Sequence, residues 1–343
     1  MTKIKPIITL AIILFTVTLL VPSLLVIPFS GERASGEFTE NLTKEKVPKR
    51  EAKETGTGPA VEVSVYRTEK EKLERLPLDQ YVIGVVASEM PADFEMEALK
   101  AQALTARTYI VKQLMSNKKS NLPQGALVSD TILHQVFKNT NDLKQEWGMD
   151  YQWKMKKIQD AVHATSGEII TYQGSLIDAT FYSTSNGYTE DSGEIWSNQF
   201  PYLTSVPSPW DKDSPKFNSQ KVMTISQFET ILGVKLSGQN IGTVTARTEG
   251  KRVSKVEVGG KTFKGEDIRE KLGLKSTDFS WERKGENIII KTKGYGHGVG
   301  MSQYGANGMA KAGKTYKDIV KYYYKGVSVS SSSPFLNKIM AKK

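Results

Sequence analysis

Glu89 sits where a carboxylate is out of place. In the stretch Tyr81–Pro91 (YVIGVVASEMP), Val82, Val85 and Val86 recur at i, i+3 and i+4, and Glu89 falls at i+7 of the same helical face. Burial disfavours the charged form of a carboxyl and raises its pKa. A carboxyl that keeps its proton near neutral pH is what a general acid requires. Further on, Lys100 and Arg107 stand i, i+7, which is about 10 Å along a helix at 1.5 Å per residue. These two cations could flank one groove with Glu89. The competing reading makes Glu89 a cap or an ion-pair partner and leaves Lys100 and Arg107 in solvent, since structural ion pairs also perturb pKa.

A second candidate is His297, in Gly294–Gly300 (GYGHGVG). Alternating glycines let a backbone take positive φ or approach a partner closely. A histidine on such a loop is rarely a packing residue. His134, beside Asp130, invites a metal reading, but one His and one Asp do not make a zinc site of three or four ligands. It is read as a hydrogen-bonded structural histidine.

The elements that must position these groups follow from periodicity. Residues 81–112 read as two helices broken at Pro91, which cannot continue a helix and biases its predecessor away from one. Leu99, Ala103, Ala106 and Ile110 form the core stripe of the second. Val61–Tyr66 alternates as a strand, and Asp79 is placed to cap the Glu89 helix. Gln152–Ala164 reads as a helix with Gly167 just past its end. Glu168–Tyr172 and Ser175–Ser183 read as a hairpin across Gln173-Gly174. In its second strand Ile177, Ala179 and Phe181 face one side, and Asp178, Thr180 and Tyr182 the other. The loop Ser183–Ser192 is dense in hydroxyls and amides and precedes Trp196. Aromatic rings beside short hydrogen-bonding side chains suit sugars, which offer apolar faces and hydroxyl edges; an ordinary turn is the alternative.

Residues 221–290 differ in style and carry no catalytic constellation. Helices are expected over Ser226–Leu232 and Glu266–Leu272, a hairpin over 242–259 and a strand over Glu286–Lys291, as in an inserted subdomain. Met301–Ala312, stopped by Gly313, and Tyr316–Tyr324 read as helices; the tyrosines of the latter could line a groove or pack.

The chain has 343 residues, no cysteine and a net charge of +10. Thiolate zinc and cysteine nucleophiles are excluded. Lys3 and Lys5 precede an uncharged run from Ile7 to Phe29, long enough to span a bilayer. Basic flanks favour a cytoplasmic N-terminus and an extracytoplasmic remainder. A cleaved signal peptide competes, but no small-residue cleavage site follows Phe29. The expected organisation is an anchor over 1–29, a flexible linker over 30–58, a domain over 59–330 with 221–290 as a possible insert, and a basic tail over 331–343. The fold class is α+β: a single-pass anchor followed by a mixed helix/sheet domain. Outside a membrane, the positive charge points to anionic cell-wall polymers or lipid head groups before nucleic acid, with a general solubility charge as the equal alternative.

Three ordered segments resemble the stage II sporulation protein D family, whose domain the amidase enhancers share. They are Ala87–Pro91 (ASEMP) with Ala101–Arg107 (AQALTAR), Phe181–Ser183 (FYS) with Asn186-Gly187 and Trp196, and Gly296–Ala306 (GHGVGMSQYGA). The similarity covers residues 59–330 and extends to the anchor, as in the sporulation branch. The resemblance implies a lytic transglycosylase that trims peptidoglycan during engulfment of the forespore, acting on glycan strands without stem peptides. It implies as partners the sporulation amidase–endopeptidase, stage II protein P, and the membrane protein, stage II protein M. The catalytic acid of the family maps onto Glu89, and its substrate groove onto Lys100, Arg107, Tyr182, Ser183, His297 and Tyr304. The mother-cell membrane facing the septum is the implied location. Some relatives hold zinc with Cys and His in the segment matching 128–134; here it offers Val128, Leu133 and His134, so no metal and no cofactor are expected. Ordinary glycosidases need two carboxylates, whereas a lytic transglycosylase can work with one. A hydrolytic muramidase, using Asp93 or Glu95 as the second carboxylate, and a non-catalytic glycan-binding activator of an amidase are the alternatives.

Overall fold

The computed structural model describes residues 61–116 and 121–341. The expected anchor and linker, residues 1–58, lie outside these residues. Among the described residues no helix is long and apolar enough to cross a membrane. The described chain mixes helix and sheet, in agreement with the α+β expectation.

β1 (Glu62–Arg67) alternates as expected, burying Val63 and Val65, and pairs antiparallel with β2 (Lys72–Pro77). α1 (Leu78–Glu89) follows at once. Its N-cap position is Pro77 and not Asp79, which lies in the first turn without capping. The helix stops where Pro91 requires: Met90 is extended, at φ −128° and ψ 133°. α2 (Met96–Met115) is the central element. Its expected stripe is buried, but so are Gln102, Thr105, Arg107 and Thr108 on its other faces. A helix buried all round makes no solvent face available to a polar residue. Its alanines, 98, 101, 103 and 106, leave room for close neighbours.

β3 (Val128–Ser129) adds to β1 in parallel. α3 (Thr140–Trp147) opens on an Asn139 capping box. α4 (Tyr151–Ala164) ends near Gly167, at φ +76°. β4 (Glu168–Tyr172) and β5 (Ser175–Leu176) form the expected hairpin, but it is short. The second strand leaves that sheet: β6 (Phe181–Tyr182) pairs in parallel with Met301–Ser302, far away in sequence. α5 (Ser192–Ile195) is a single turn.

The insert is a unit with its own core. β7 (Asn218–Thr224), α6 (Ile225–Leu232), β8 (Thr243–Arg247), β9 (Val253–Val258), β10 (Lys261–Lys264), α7 (Gly265–Lys271), β11 (Asp278–Lys284) and β12 (Asn287–Lys293) make two three-stranded sheets, β11-β12-β7 and β10-β9-β8. Phe228, Val256, Ile268, Ile288 and Ile290 are fully buried in it. Asn218 pairs with Lys293, so the chain leaves and rejoins the main body through adjacent strand ends.

β13 (Met301–Ser302) is the parallel partner of β6, correcting the expectation that residues 301 and 302 belong to a helix. α8 (Gln303–Lys311) begins after it, N-capped by Ser302. In α9 (Tyr316–Tyr323) and beyond, the tyrosines pack: Tyr323 and Tyr324 are buried, and Tyr324 donates to the Thr180 carbonyl at 2.7 Å. β14 (Ser328–Ser331) joins β4 antiparallel. Residues 333–340, read as part of a basic tail, form α10 (Ser333–Met340), whose Ile339 packs with Val61, Val111 and Ile169. Helices α1, α4, α8, α9 and α10 and strand β4 all pack on α2.

Candidate active site

Glu89 is the last residue of α1, so its side chain leaves the core at the helix end and enters a cleft. The cleft measures about 510 Å³. Its walls are Glu89, the 134–136 segment, residues 179–183 around β6, the 295–297 loop, Gln303 and two cations, Lys216 and Arg269. Glu89 Oε1 accepts the Val136 N–H at 2.9 Å, and the Glu89 carbonyl accepts from Gln303 Nε2 at 3.1 Å. Burial raises the Glu89 pKa above the ordinary carboxylate range, and the Val136 hydrogen bond opposes that only in part. Its place at a helix C-terminus, where the backbone carries partial negative charge, acts in the same direction as burial. Among the described residues lining the cleft, Glu89 is the one acid. Asp93 and Glu95 are exposed and lie outside the lining.

His297 is clamped. Its Nε2 donates to the Phe181 carbonyl at 3.1 Å, and its Nδ1 accepts the Val299 N–H at 3.1 Å. These bonds set the neutral tautomer. Burial, with Arg269 and Arg252 nearby, pushes its pKa down to about 4. The ring stands between Tyr182, at 5.6 Å between centroids, and Trp196, at 5.7 Å. With both nitrogens engaged, His297 shapes the wall and holds no proton to give. The glycines around it are packing requirements: a Cβ on Gly298 would run into the Arg252 guanidinium, and one on Gly300 into the Thr180 carbonyl, both at positive φ.

Of the residues expected at the site, Glu89, Tyr182, Ser183 and His297 meet in the cleft. Lys100, Arg107 and Tyr304 do not. Lys100 is paired with Glu97 at 2.7 Å and lies over the Tyr316 ring. Arg107 is buried at the far end of α4, where it donates to the Val162 carbonyl at 3.0 Å and the Thr165 carbonyl at 2.7 Å, with Asp79 at 3.5 Å. It closes a helix C-terminus, a favourable place for a cation. Tyr304 stands behind the wall, its ring edge against Phe94.

The sequence reading passed over other cleft residues. His134 lines the cleft after all. Its Nδ1 accepts from the Ser129 N–H, at 3.3 Å, and lies 2.9 Å from the Ser129 hydroxyl, leaving Nε2 to carry the proton. Ser129 thus engages one of the two ring nitrogens, and among the described residues no three His, Asp or Glu side chains group to hold an ion. Gln135 is buried with its Nε2 unpartnered. Arg269 comes from the insert, where no periodicity marks a side chain that will reach another region's cleft.

The hydroxyl-rich loop after β6 is mostly used internally. Asp211 is fully buried and accepts from the Ser185 N–H and hydroxyl and from the Ser208 and Ser302 hydroxyls. Glu190, also buried, accepts from the Thr248 hydroxyl and the Gly250 N–H, with Arg252 at 3.8 Å. The Asp211 contacts lie within the main body, and those of Glu190 fasten residues 248–252 to it.

A family model described as "Stage II sporulation protein" matches residues 66–172. The chain is 52% identical over 334 residues to "Stage II sporulation protein D" of Bacillus subtilis (strain 168), covering 96% of this chain and 97% of that one. It is 51% identical to the protein of the same name from Bacillus amyloliquefaciens, over 99% of this chain and 100% of that one. It is 30% identical to the "Amidase enhancer" of Bacillus subtilis (strain 168) over 72% of this chain and 40% of that longer protein. Identity at this level along nearly the full length of both chains shows that the chain belongs to the stage II sporulation protein D family.

Proposed function

We propose that this protein is a peptidoglycan lytic transglycosylase. It cleaves glycan strands lacking stem peptides, leaves 1,6-anhydro-muramic acid ends, and acts in forespore engulfment during sporulation. The observation that carries this reading is Glu89: a single carboxyl, pushed toward its protonated form, in a cleft with no second acid in its lining. Two-carboxylate hydrolysis needs a partner roughly 5–10 Å away, which disfavours the muramidase alternative.

In this mechanism protonated Glu89 donates to the glycosidic oxygen as the bond to the anomeric carbon breaks. The resulting carboxylate then takes the proton of the muramyl 6-hydroxyl as that oxygen closes onto the anomeric carbon. Water does not enter the product. Tyr182, Ser183 and His297 form the wall against which the sugar rings lie, with the Trp196 ring tilted against His297 behind it. Val136 N–H stabilises the carboxylate formed in the middle of the cycle. The domain works outside the mother-cell membrane, held by the N-terminal anchor. Stage II protein P, the amidase–endopeptidase that strips the peptides, and stage II protein M are its partners.

The similarity to an amidase enhancer favours a second reading, a glycan-binding activator without catalysis of its own. Purified protein on stripped glycan, with no amidase present, separates the two. Accumulation of anhydro-muramic acid ends without new reducing ends is the expected result. New reducing ends would identify a hydrolase, and intact strands a binding module.

A further inference from the structure

Buried arginines in this fold are partnered with care. Arg67 is held by Glu74, Asp130 and Asp142. Arg107 is held by two carbonyls and Asp79, and Arg252 by the Tyr188 carbonyl beside Glu190. Arg269 is half-buried in the cleft wall and, among the described residues, has no ion pair and no hydrogen bond. Glu266 and Glu270 of its own helix attract it only at longer range, Arg252 repels it, and burial lowers its pKa. Lys216, the other cation of the lining, also lacks a carboxylate. Its ammonium is placed over the Tyr295 ring at 5.5 Å and the Tyr304 ring at 5.9 Å. The cleft therefore holds two unpaired cations and one acid that resists ionisation. An unpaired, partly desolvated guanidinium is costly unless an anion completes it.

We propose that Arg269, assisted by Lys216, binds a carboxylate carried on the substrate's sugar ring. On the glycan-cleaving reading, on which this inference rests, that group is the lactyl carboxylate of muramic acid. The carboxylate is free only where the stem peptide has been removed; where the peptide remains, it is an uncharged amide. A guanidinium offers donors in a planar fork that matches a carboxylate in two parallel bonds, whereas an amide presents one acceptor and a competing N–H donor. The insert thus has a task that its own sequence does not declare: α7 brings to the cleft the group that reads whether a strand has been stripped.

The test uses the purified full-length protein and two substrates. One is stripped glycan; the other is the same glycan with its carboxylates converted to methylamides by carbodiimide coupling. A charge-assisted hydrogen bond contributes about 1.5–3 kcal/mol, so wild type should show a KM at least about tenfold higher on the amide strands, with kcat nearly unchanged. Arg269→Gln should raise KM on carboxylate strands about tenfold and leave the amide strands unaffected, erasing the preference. Arg269→Lys should restore part of it, and Lys216→Gln should remove a smaller part. Equal KM on both substrates in wild type, or an undiminished preference in Arg269→Gln, overturns the proposal. Should wild type make no anhydro ends from either substrate, the reaction assignment fails by itself. Calorimetric binding of the two strand types to wild type and Arg269→Gln then reads the carboxylate site directly, with the same tenfold difference expected and its absence overturning it.

Discussion

The main body and the insert reach the same cleft by different physical routes. Residues 61–217 and 294–341 are built around α2, a helix buried on every face, and they deliver Glu89 from the end of α1, whose apolar period fixes its direction. Residues 218–293 fold around their own small core and deliver Arg269 from a short helix on the rim. The proposed proton donor is thus set by helix packing. The cation is set by how one folded unit is fastened to another, through the Glu190–Arg252 contact and the Asn186 side chain bonded to the Gly250 carbonyl and Asp278. Bond-breaking and recognition can therefore be disturbed separately, and substitutions on each side should show it.

The largest effect is expected at Glu89. Glu89→Gln should fold and lose about 10²–10⁴-fold in kcat, the usual contribution of general acid–base catalysis. Its stability should change in a defined sense. The folded pKa of Glu89 lies above the ordinary value, so the wild-type fold loses stability as pH rises past that value. Glu89→Gln escapes this loss, and its melting temperature relative to wild type should improve between pH 4 and pH 7. An unchanged cleavage rate in the folded variant would move the chemistry away from the end of α1.

Next comes the fastening of the insert. Arg252→Met removes the cation beside fully buried Glu190 and should cost about 3–5 kcal/mol in denaturant unfolding. Adding Glu190→Gln should recover part of that cost, since no buried charge is then left alone. A loss below 1 kcal/mol for the single variant would mean that the insert is held by other contacts.

A smaller loss is expected at Arg107. Arg107→Met leaves the α4 carbonyls without their donor and should destabilise the fold by about 1–3 kcal/mol. Cleavage per folded molecule should not change, because the side chain is remote from the cleft. A fall in kcat or a rise in KM at full folding would return Arg107 to the groove where its motif first suggested it.

The smallest effect is a pH signature at His297. Its folded pKa, near 4, lies below the ordinary histidine value. Its contribution to stability is therefore complete above pH 6.5 and is lost as pH falls from there toward 4. The ring should titrate near 4 by NMR, and the melting temperature of His297→Asn should fall less steeply over that interval than that of wild type. Titration near 6.5 would show the ring to be open to solvent and available for chemistry.

Much of the fold was legible because hydrophobic periodicity and local punctuation act over short distances. The valines of α1, the break at Pro91, the alternation of β1 and the stop at Gly167 are all local, and each appears where expected. The apolar face also foretold that Glu89 would resist ionisation, since the same burial that orients the helix raises the pKa. Two-residue strands such as β6 and β13 could not be read, because among the described residues their one strand partner is each other, across more than a hundred residues.

The sequence by itself thus determined most of the helices and the placement of one acid on an apolar stripe. Only the tertiary structure decided which polar side chains share a cleft. Spacing put Arg107 on a face beside Glu89, yet α2 is buried on every face over residues 101–108, so its guanidinium was drawn to the carbonyls ending α4. Spacing said nothing of Arg269, because what brings it to Glu89 is the docking of two separately cored regions. Periodicity reports the neighbours of a residue within its own element; contacts between elements depend on packing that no single segment encodes.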